Sequence, residues 1–501
     1  MSAVATQPSA APRADVTLIL EGTYPYVAGG VSSWVHQILG ASAQRDFALL
    51  HIGPHPEAYA KPLYQIPGNV SSMTEVYCRG SEQLPHRALS SERPRAPSHP
   101  SRTLQAFRRL HVSDEVDDQL LADLAANDLS VAEFLHGDAT FDLLRDELYQ
   151  RLSPDAPFMD FFWHFRAMHM PLLRLLAAPC PPAAVYHAVS TGYAGLIGAV
   201  ASYRDGRPLI ITEHGLYARE REMELARATW IHDVDIGSSW GRPSPLRQFW
   251  AHYFHMLSRI AYHRATRLLT LSEANRAKQL ADGADPAKTA VVPNGVDQSV
   301  WAATPHSAST GRRPRIGFVG RVVPIKDVLT LIRACGLACA QTDLELWIVG
   351  PENEDPTYAA RCHALVDSLS LGDHIKFLGP RSVAEIYPQL DALVLTSLSE
   401  GQPLVMLEAY AAGVPVIATD VGACRELIEG GDPADHALGP SGIVTRVASP
   451  NETAAAMVQL ASHPELRATM GRAGTARVSA RYQLRQVVAS YASLYDAMVM
   501  S

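Results

Sequence analysis

Val16-Thr17-Leu18-Ile19-Leu20, closed by Glu21-Gly22 and followed by Gly29-Gly30, decides how this chain folds. A short uninterrupted apolar run ending at a turn reads as a strand buried on both faces, as in a parallel sheet. A helical pattern follows from about residue 31 to 39. Strand, glycine loop and helix form the phosphate-binding opening of a doubly wound sheet. Many α/β turns contain glycines, so the assignment depends on what the rest of the chain does.

Outward from that opening, the same alternation returns. Strands are expected at residues 185–187, 208–212, 267–271 and 289–292, with a helix from Tyr193 and another after Ser272. The last of these strands ends at Pro293-Asn294-Gly295-Val296-Asp297. A second series of apolar runs, at residues 315–319, 344–349, 375–378, 392–396 and 414–418, is separated by helical segments. Such alternation predicts α/β units with mainly parallel sheets covered on both faces. Between them, residues 54–182 lack the rhythm: 90–101 is rich in Pro, Ser and Arg, and 114–152 is acidic and helical in period. The run Phe158-Met159-Asp160-Phe161-Phe162-Trp163-His164-Phe165 is strongly aromatic. It reads as packing for an inserted helical layer, with nucleotide stacking or acceptor binding as the alternative.

Length and composition agree with this plan. A chain of 501 residues exceeds one ordinary core. The expected divisions are a disordered start at 1–14, a first Rossmann-like domain at 15–303 with its insertion at 54–182, and a linker at 304–314. A second Rossmann-like domain follows at 315–480, and a helix at 481–501 crosses back to the first. A hydrophobic fraction of 47% and a charged fraction of 19% indicate a globular protein. Net charge is −8, which gives no broad basic field for nucleic acid or anionic lipid. The cysteines at 78, 180, 335, 339, 362 and 424 form no Cys-x-x-Cys pair, as expected in a reducing compartment. With no apolar signal core and no membrane-length run, a cytoplasmic protein is expected, docked to a membrane complex where its product requires one.

The candidate chemistry lies at strand ends. Ser399-Glu400-Gly401-Gln402-Pro403-Leu404-Val405-Met406-Leu407-Glu408-Ala409 places two carboxylates around a turn and the first turns of a helix. Pro403 fits the first helical position, and a helix N-terminus offers free N–H groups and partial positive charge to an anion. Glu400 and Glu408 could then grip hydroxyls on either side of a bound phosphate. By spacing alone they would read as two solvated glutamates. Arg321 and Lys326, in Gly320-Arg321-Val322-Val323-Pro324-Ile325-Lys326-Asp327, follow a strand where open α/β sheets bind ligands and could neutralise a diphosphate. Glu213-His214-Gly215 follows another strand; a lone histidine there is more often structural. Asp233-Val234-Asp235 has the Asp-x-Asp form of a metal signature, a pattern short enough to arise by chance. No zinc-type cluster, P-loop or Gly-x-Ser-x-Gly elbow is present, and no metal or cofactor is expected.

Taken together these pieces resemble the GT-B glycosyltransferases of family 4: the Gly29-Gly30 loop, His214-Gly215, Pro293 to Asp297, Arg321 with Lys326, and Glu400 with Glu408 as E-x7-E. Within that family the stretches Glu21 to Val35, His187 to Gly195, Thr212 to Tyr217 and Gly379 to Tyr387 resemble the PelF-type enzymes of Pel exopolysaccharide synthesis. The resemblance implies two Rossmann-like domains facing across a cleft, a UDP-sugar donor and retention of anomeric configuration. It assigns the diphosphate to Arg321 and Lys326, the ribose hydroxyls to Glu408, and the hexose to Glu400. It gives phosphate and sugar contacts to Gly401, Gln402, Pro403 and Leu404, places His214 near the sugar C6, and closes Gly29 and Gly30 over the diphosphate. Gln402 departs from the bulky apolar residue common in the family. The implied donors are UDP-N-acetylgalactosamine, UDP-N-acetylglucosamine or UDP-glucose. The acceptor would be a growing polysaccharide, and the protein partners inner-membrane Pel synthase and export proteins. The competing expectations are a nonhydrolysing UDP-sugar epimerase, a nonenzymatic nucleotide-sugar sensor and a nicotinamide-dependent oxidoreductase. The last lacks a complete Gly-x-Gly-x-x-Gly.

Overall fold

The computed structural model describes residues 14–59, 61–79, 101–231, 244–301 and 311–499. These fall into two compact units. The first runs up to Leu269 and adds Lys278–Ala290 and the residues from Ala492 on; the second holds Thr270–Ala277 and Val291–Tyr491. The expected N-terminal segment up to residue 13, the loop at 90–100, Asp233 to Asp235 and linker residues 304–310 lie outside the described residues.

The first unit is built on seven strands: β1 (Ala14–Glu21), β2 (Phe47–Gly53), β3 (Val70–Tyr77), β4 (Ala183–Ala188), β5 (Leu209–Glu213), β6 (Arg267–Thr270) and β7 (Thr289–Val291). Their order is β3-β2-β1-β4-β5-β6-β7, and β1 pairs in parallel with both β2 and β4. Val16, Leu18, Ile19 and Leu20 of β1 are completely buried, which is why the run is unbroken. Helix Tyr193–Asp205 comes very close behind the sheet. A Cβ on Gly198 would stand 2.9 Å from Leu209 Cδ1 and 3.3 Å from Ile19 Cδ1, so a larger residue there would push these side-chain ends aside.

The stretch 54–182, read as a helical insertion, is corrected in part. Its helices, among them Arg102–Val112 and Phe158–Ala177, do form a layer, but β3 comes from within it and pairs with β2. As an edge strand with no fully buried residue, β3 needs no apolar run, so its sequence carries little signal. Phe161 and Phe165 of the aromatic run are buried in this layer, whereas Trp163 is exposed.

The second unit has six strands: β8 (Arg315–Val319), β9 (Glu345–Val349), β10 (Ile375–Gly379), β11 (Ala392–Leu395), β12 (Val416–Thr419) and β13 (Gly442–Thr445). The order is β10-β9-β8-β11-β12-β13, parallel throughout. The strands beginning at 47 and 442 are additions to the sequence reading. The first of them contains His51, fully buried, whose Nδ1 donates to the Tyr24 carbonyl at 3.1 Å. Each sheet reverses direction beside its first strand, between β1 and β4 and between β8 and β11. Ligands of such sheets bind at the carboxyl ends of the strands flanking that reversal.

Candidate active site

In the second unit the loops after β8 and β11 meet at the reversal. The loop after β8 passes through a tight turn, Pro324–Lys326, before helix Val328–Cys339. Thr396 Oγ1 donates to the carbonyls of Lys326 and Asp327 at 3.0 and 3.1 Å, and Leu398 N donates to Ile325 O at 2.8 Å. These bonds bring Lys326 Nζ to 2.6 Å from Glu400 Oε1, an oxygen that also accepts from Ser397 Oγ at 2.6 Å. The pair is mostly buried: the Lys326 side chain is 21% exposed and that of Glu400 10%.

Neighbouring loops hold Glu400 from behind. Gly422 has φ +53°, and a Cβ there would stand 2.0 Å from the Glu400 carbonyl oxygen. Ala423 N donates to Gly401 O at 2.8 Å. On the other side, Gly350 (φ +146°) lies so close that a Cβ would reach 1.9 Å from Gly320 O, bringing the loop after β9 against that after β8. Arg321 leaves this region toward Glu354, its Nη1 2.5 and 2.6 Å from the two carboxylate oxygens. Both side chains are close to half exposed, so the pair contributes only about 0–1 kcal/mol and can be exchanged for another anion.

Glu408 sits on helix Leu404–Ala411, where its Oε2 accepts from Tyr387 OH at 3.0 Å. Burial raises the Glu408 carboxyl above the usual range, and the tyrosine bond opposes that shift. Pro403 is the residue before this helix, with ψ 116°, and Leu404 is its first residue. This corrects the expected first helical position of Pro403. The ring still suits the start, because φ −71° is the value proline imposes. The first-turn amides of the helix therefore begin at Leu404; Met406 N donates to the Pro403 carbonyl at 3.1 Å, and the amides of Leu404 and Val405 lie too early for an intrahelical acceptor. Gln402 is only 5% exposed and is bonded to Asn294.

In the first unit, Gly29 caps helix Gly30–Ala41 in extended conformation, and nothing lies within 4 Å of where its Cβ would be. His214 follows β5 and stands edge-on to Trp34, ring centroids 4.7 Å apart. Desolvation pushes the His214 pKa down to about 3, so the ring is neutral, and its buried Nε2 has no hydrogen-bond partner among the described residues. Next to it, Glu213 is fully buried and accepts from Thr191 Oγ1, Tyr217 N, Tyr262 OH and Gln279 Nε2 at 2.8 to 3.1 Å. Burial raises its pKa against these four donors. Glu21, at the end of β1, accepts from Ala194 N at 3.2 Å, at the start of helix Tyr193–Asp205, and from Tyr217 OH at 3.0 Å. Its pKa is raised by burial, with Arg221 pulling the other way.

The geometry thus joins Lys326 directly to Glu400, keeps Arg321 on the same loop, and gives Glu408 its own partner. Ser397, Tyr387, Glu21 and Glu213 were not singled out as site residues from sequence. Glu21 and Glu213 carried a local signal, each an acid closing a buried strand before a glycine turn. Among the described residues, no three His, Cys, Asp or Glu side chains gather as a metal ion would need. No helix among them is long and apolar enough to cross a membrane.

Two doubly wound parallel sheets, each with its polar groups at the carboxyl edge, define the GT-B class of fold. Sucrose-phosphate synthase from Thermosynechococcus elongatus superposes with a TM-score of 0.59 at 16% identity, over 96% of this chain and 98% of that one. Anabaena HepE, solved in complex with UDP and glucose, gives 0.57 at 16% identity, over 97% and 100%. The chain belongs to the family described as Domain of unknown function (DUF3492), whose model matches residues 14–287. Residues 313–463 match a second model, described as Glycosyl transferases group 1. Among curated relatives, the MMP alpha-(1->4)-mannosyltransferase of Mycolicibacterium hassiacum is 28% identical over 59% of this chain and 66% of its own length. The D-inositol 3-phosphate glycosyltransferase of Geodermatophilus obscurus is 32% identical over 52% and 60%. The chain therefore spans about three-fifths to two-thirds of these relatives.

Proposed function

We propose that the chain is a retaining glycosyltransferase that moves a hexose or N-acetylhexosamine from a UDP-sugar to a growing polysaccharide, in Pel exopolysaccharide synthesis. The observation that carries this reading is the Lys326–Glu400 pair at the sheet reversal, beside the amide-bearing end of helix Leu404–Ala411. A phosphate there would meet a fixed ammonium and backbone N–H groups, and a sugar hydroxyl would meet a carboxylate already oriented by Ser397. The group 1 match over residues 313–463 supports a nucleotide-sugar donor, as do the solved complexes of HepE with UDP and with UDP-glucose.

In this reading Arg321 exchanges Glu354 for the donor diphosphate, Lys326 holds the same group, and Glu408 with Tyr387 receives the ribose. Gly401, Gln402, Pro403 and Leu404 shape the turn against phosphate and sugar. Gly29, Gly30 and His214 keep the roles that the family resemblance implies, His214 as a neutral hydrogen-bonding group rather than a charge. The acceptor hydroxyl oxygen bonds to the anomeric carbon as the bond from that carbon to the phosphate oxygen breaks. The electron pair leaves with UDP, and the acceptor proton passes to the departing phosphate oxygen on the same face. Arg321 and Lys326 meet the charge that grows on UDP, so the reaction needs no metal from outside. The protein works in the cytoplasm, docked to inner-membrane synthase and export proteins.

Calorimetry against UDP-N-acetylgalactosamine, UDP-N-acetylglucosamine and UDP-glucose, followed by product analysis, tests the proposal. Expected are binding of one UDP-sugar and a glycosidic product of retained configuration. Conversion of the UDP-sugar without any acceptor would replace the reading with epimerisation, and binding without turnover would replace it with a sensor.

A further inference from the structure

Asn294 grips the turn that precedes helix Leu404–Ala411 at two points. Its backbone N–H donates to Gln402 Oε1 at 2.5 Å, and its Nδ2 donates to the Gln402 carbonyl at 3.1 Å. Both residues are almost fully buried, 4% and 5% exposed. The support behind Asn294 is firm. Val296 N donates to Tyr482 O at 2.9 Å, Leu484 N donates to Val296 O at 3.0 Å, and Val296 forms a parallel bridge with Gln483. A Cβ on Gly295 would stand 2.8 Å from the Leu484 backbone and from Val487 Cγ2, so glycine lets the two segments approach this closely. From the opposite side, Ala423 N holds Gly401 O at 2.8 Å. Residues 401 and 402 are therefore clamped between two unrelated segments, directly after Glu400 and directly before the helix.

We infer that Asn294 is a positioning residue for the nucleotide-sugar site, acting through Gln402 to set where Glu400 and the first helical amides stand. The inference rests on the donor-binding reading above. Two details point to geometry rather than stability as the use of this contact. Gln402 Nε2 and Asn294 Oδ1 are buried without hydrogen-bond partners among the described residues. Apolar side chains of similar shape would avoid that penalty, so an arrangement serving stability alone would not leave both atoms bare. Moreover, the contact is made to the backbone of the turn itself, where a displacement near 1 Å in a group that orients substrate is felt strongly.

The test uses the full chain and four variants: Asn294→Ala, the near-isosteric Asn294→Asp, Gln402→Leu and the Asn294→Ala/Gln402→Leu double variant. Thermal melting reports the fold, calorimetry with UDP reports binding, and initial rates separate KM for the UDP-sugar from kcat. Each single variant is expected to weaken UDP binding and raise donor KM by about tenfold, with a smaller change in kcat. Asn294→Ala removes the Nδ2 bond and Gln402→Leu removes the bond to Oε1, so the double variant should lose at least as much as the worse single one. Asn294→Asp keeps the backbone bond and loses the Nδ2 donation, so it should show most of the loss while staying folded. A folded Asn294→Asp with wild-type donor KM and UDP affinity overturns the inference, as does a folded double variant that binds UDP like wild type. If wild type itself does not bind UDP, the donor-site reading fails instead.

Discussion

The two units share a topology and differ in what they place at its reversal. In the second, charge meets charge: Lys326 with Glu400, and Arg321 with Glu354. In the first, buried carboxylates and histidines are held mainly by neutral donors. Glu213 is ringed by Thr191, Tyr262, Gln279 and an amide, and His187 pairs with Thr212 Oγ1 at 2.9 Å and Tyr495 OH at 2.7 Å. The same strand order can thus carry two kinds of electrostatics. Cations suit a multiply charged ligand, whereas neutral donors suit a rigid polar wall. Under the proposed function, this comparison assigns the donor phosphates to the second unit.

The sharpest way to break it is Lys326→Ala. If the ammonium stabilises the leaving nucleotide, kcat/KM should fall by about 10²- to 10³-fold while the protein stays folded. Retained transfer at more than a tenth of the wild-type rate would remove the distinction between the units.

Acid tests the neutral side. His187 and His214 have pKa values pushed down to about 3 by desolvation, far below the ordinary 6.5. A folded-state pKa below the unfolded one means that only the unfolded chain takes up the proton. The stability these rings contribute is therefore present above pH 6.5 and lost as pH falls toward 3. Between pH 7 and 5 the loss should be about 2 kcal/mol per histidine. Glu21 and Glu213, raised by burial, act with the opposite sign. The measurement is accordingly the difference in urea unfolding between wild type and His187→Gln at the two pH values. Equal pH slopes in the two proteins would contradict the assignment.

Tyr387→Phe sharpens the role of Glu408. Loss of the hydroxyl removes one bond to a half-buried carboxylate, worth about 1 kcal/mol or somewhat more. UDP affinity should drop about fivefold to tenfold by calorimetry. The smallest effect is expected for Glu354→Ala. It removes an exposed partner of Arg321, so stability should move by less than about 0.5 kcal/mol. UDP binding should hold or tighten, and a marked loss would mean that Glu354 does more than pair with Arg321.

Much of the fold was legible in the chain. The strands at 315–319 and 392–395, and most of the others, showed as apolar runs because both faces of a parallel sheet are covered. The edge strand β3 hid inside the irregular stretch because no residue of it is fully buried. For the site, Arg321, Lys326, Glu400 and Glu408 could be named from their places after strands, but not their partners. Glu354 and Ser397 sit in segments with no pattern of their own, and Tyr387 in a stretch whose resemblance names no partner. The bond from Asn294 to Gln402 spans 108 residues.

By itself the sequence determined most of the segments that become strands, helices and turns, β3 and the strands at 47 and 442 excepted, since side-chain period and glycine freedom are properties of the local backbone. Tertiary structure alone decided that Lys326 faces Glu400 across 74 residues, that Glu21 lies at the start of helix Tyr193–Asp205, and that Asn294 clamps Gln402. The reason is that a hydrogen bond or ion pair between distant segments depends on strand order and loop path. No local pattern of residues encodes either one.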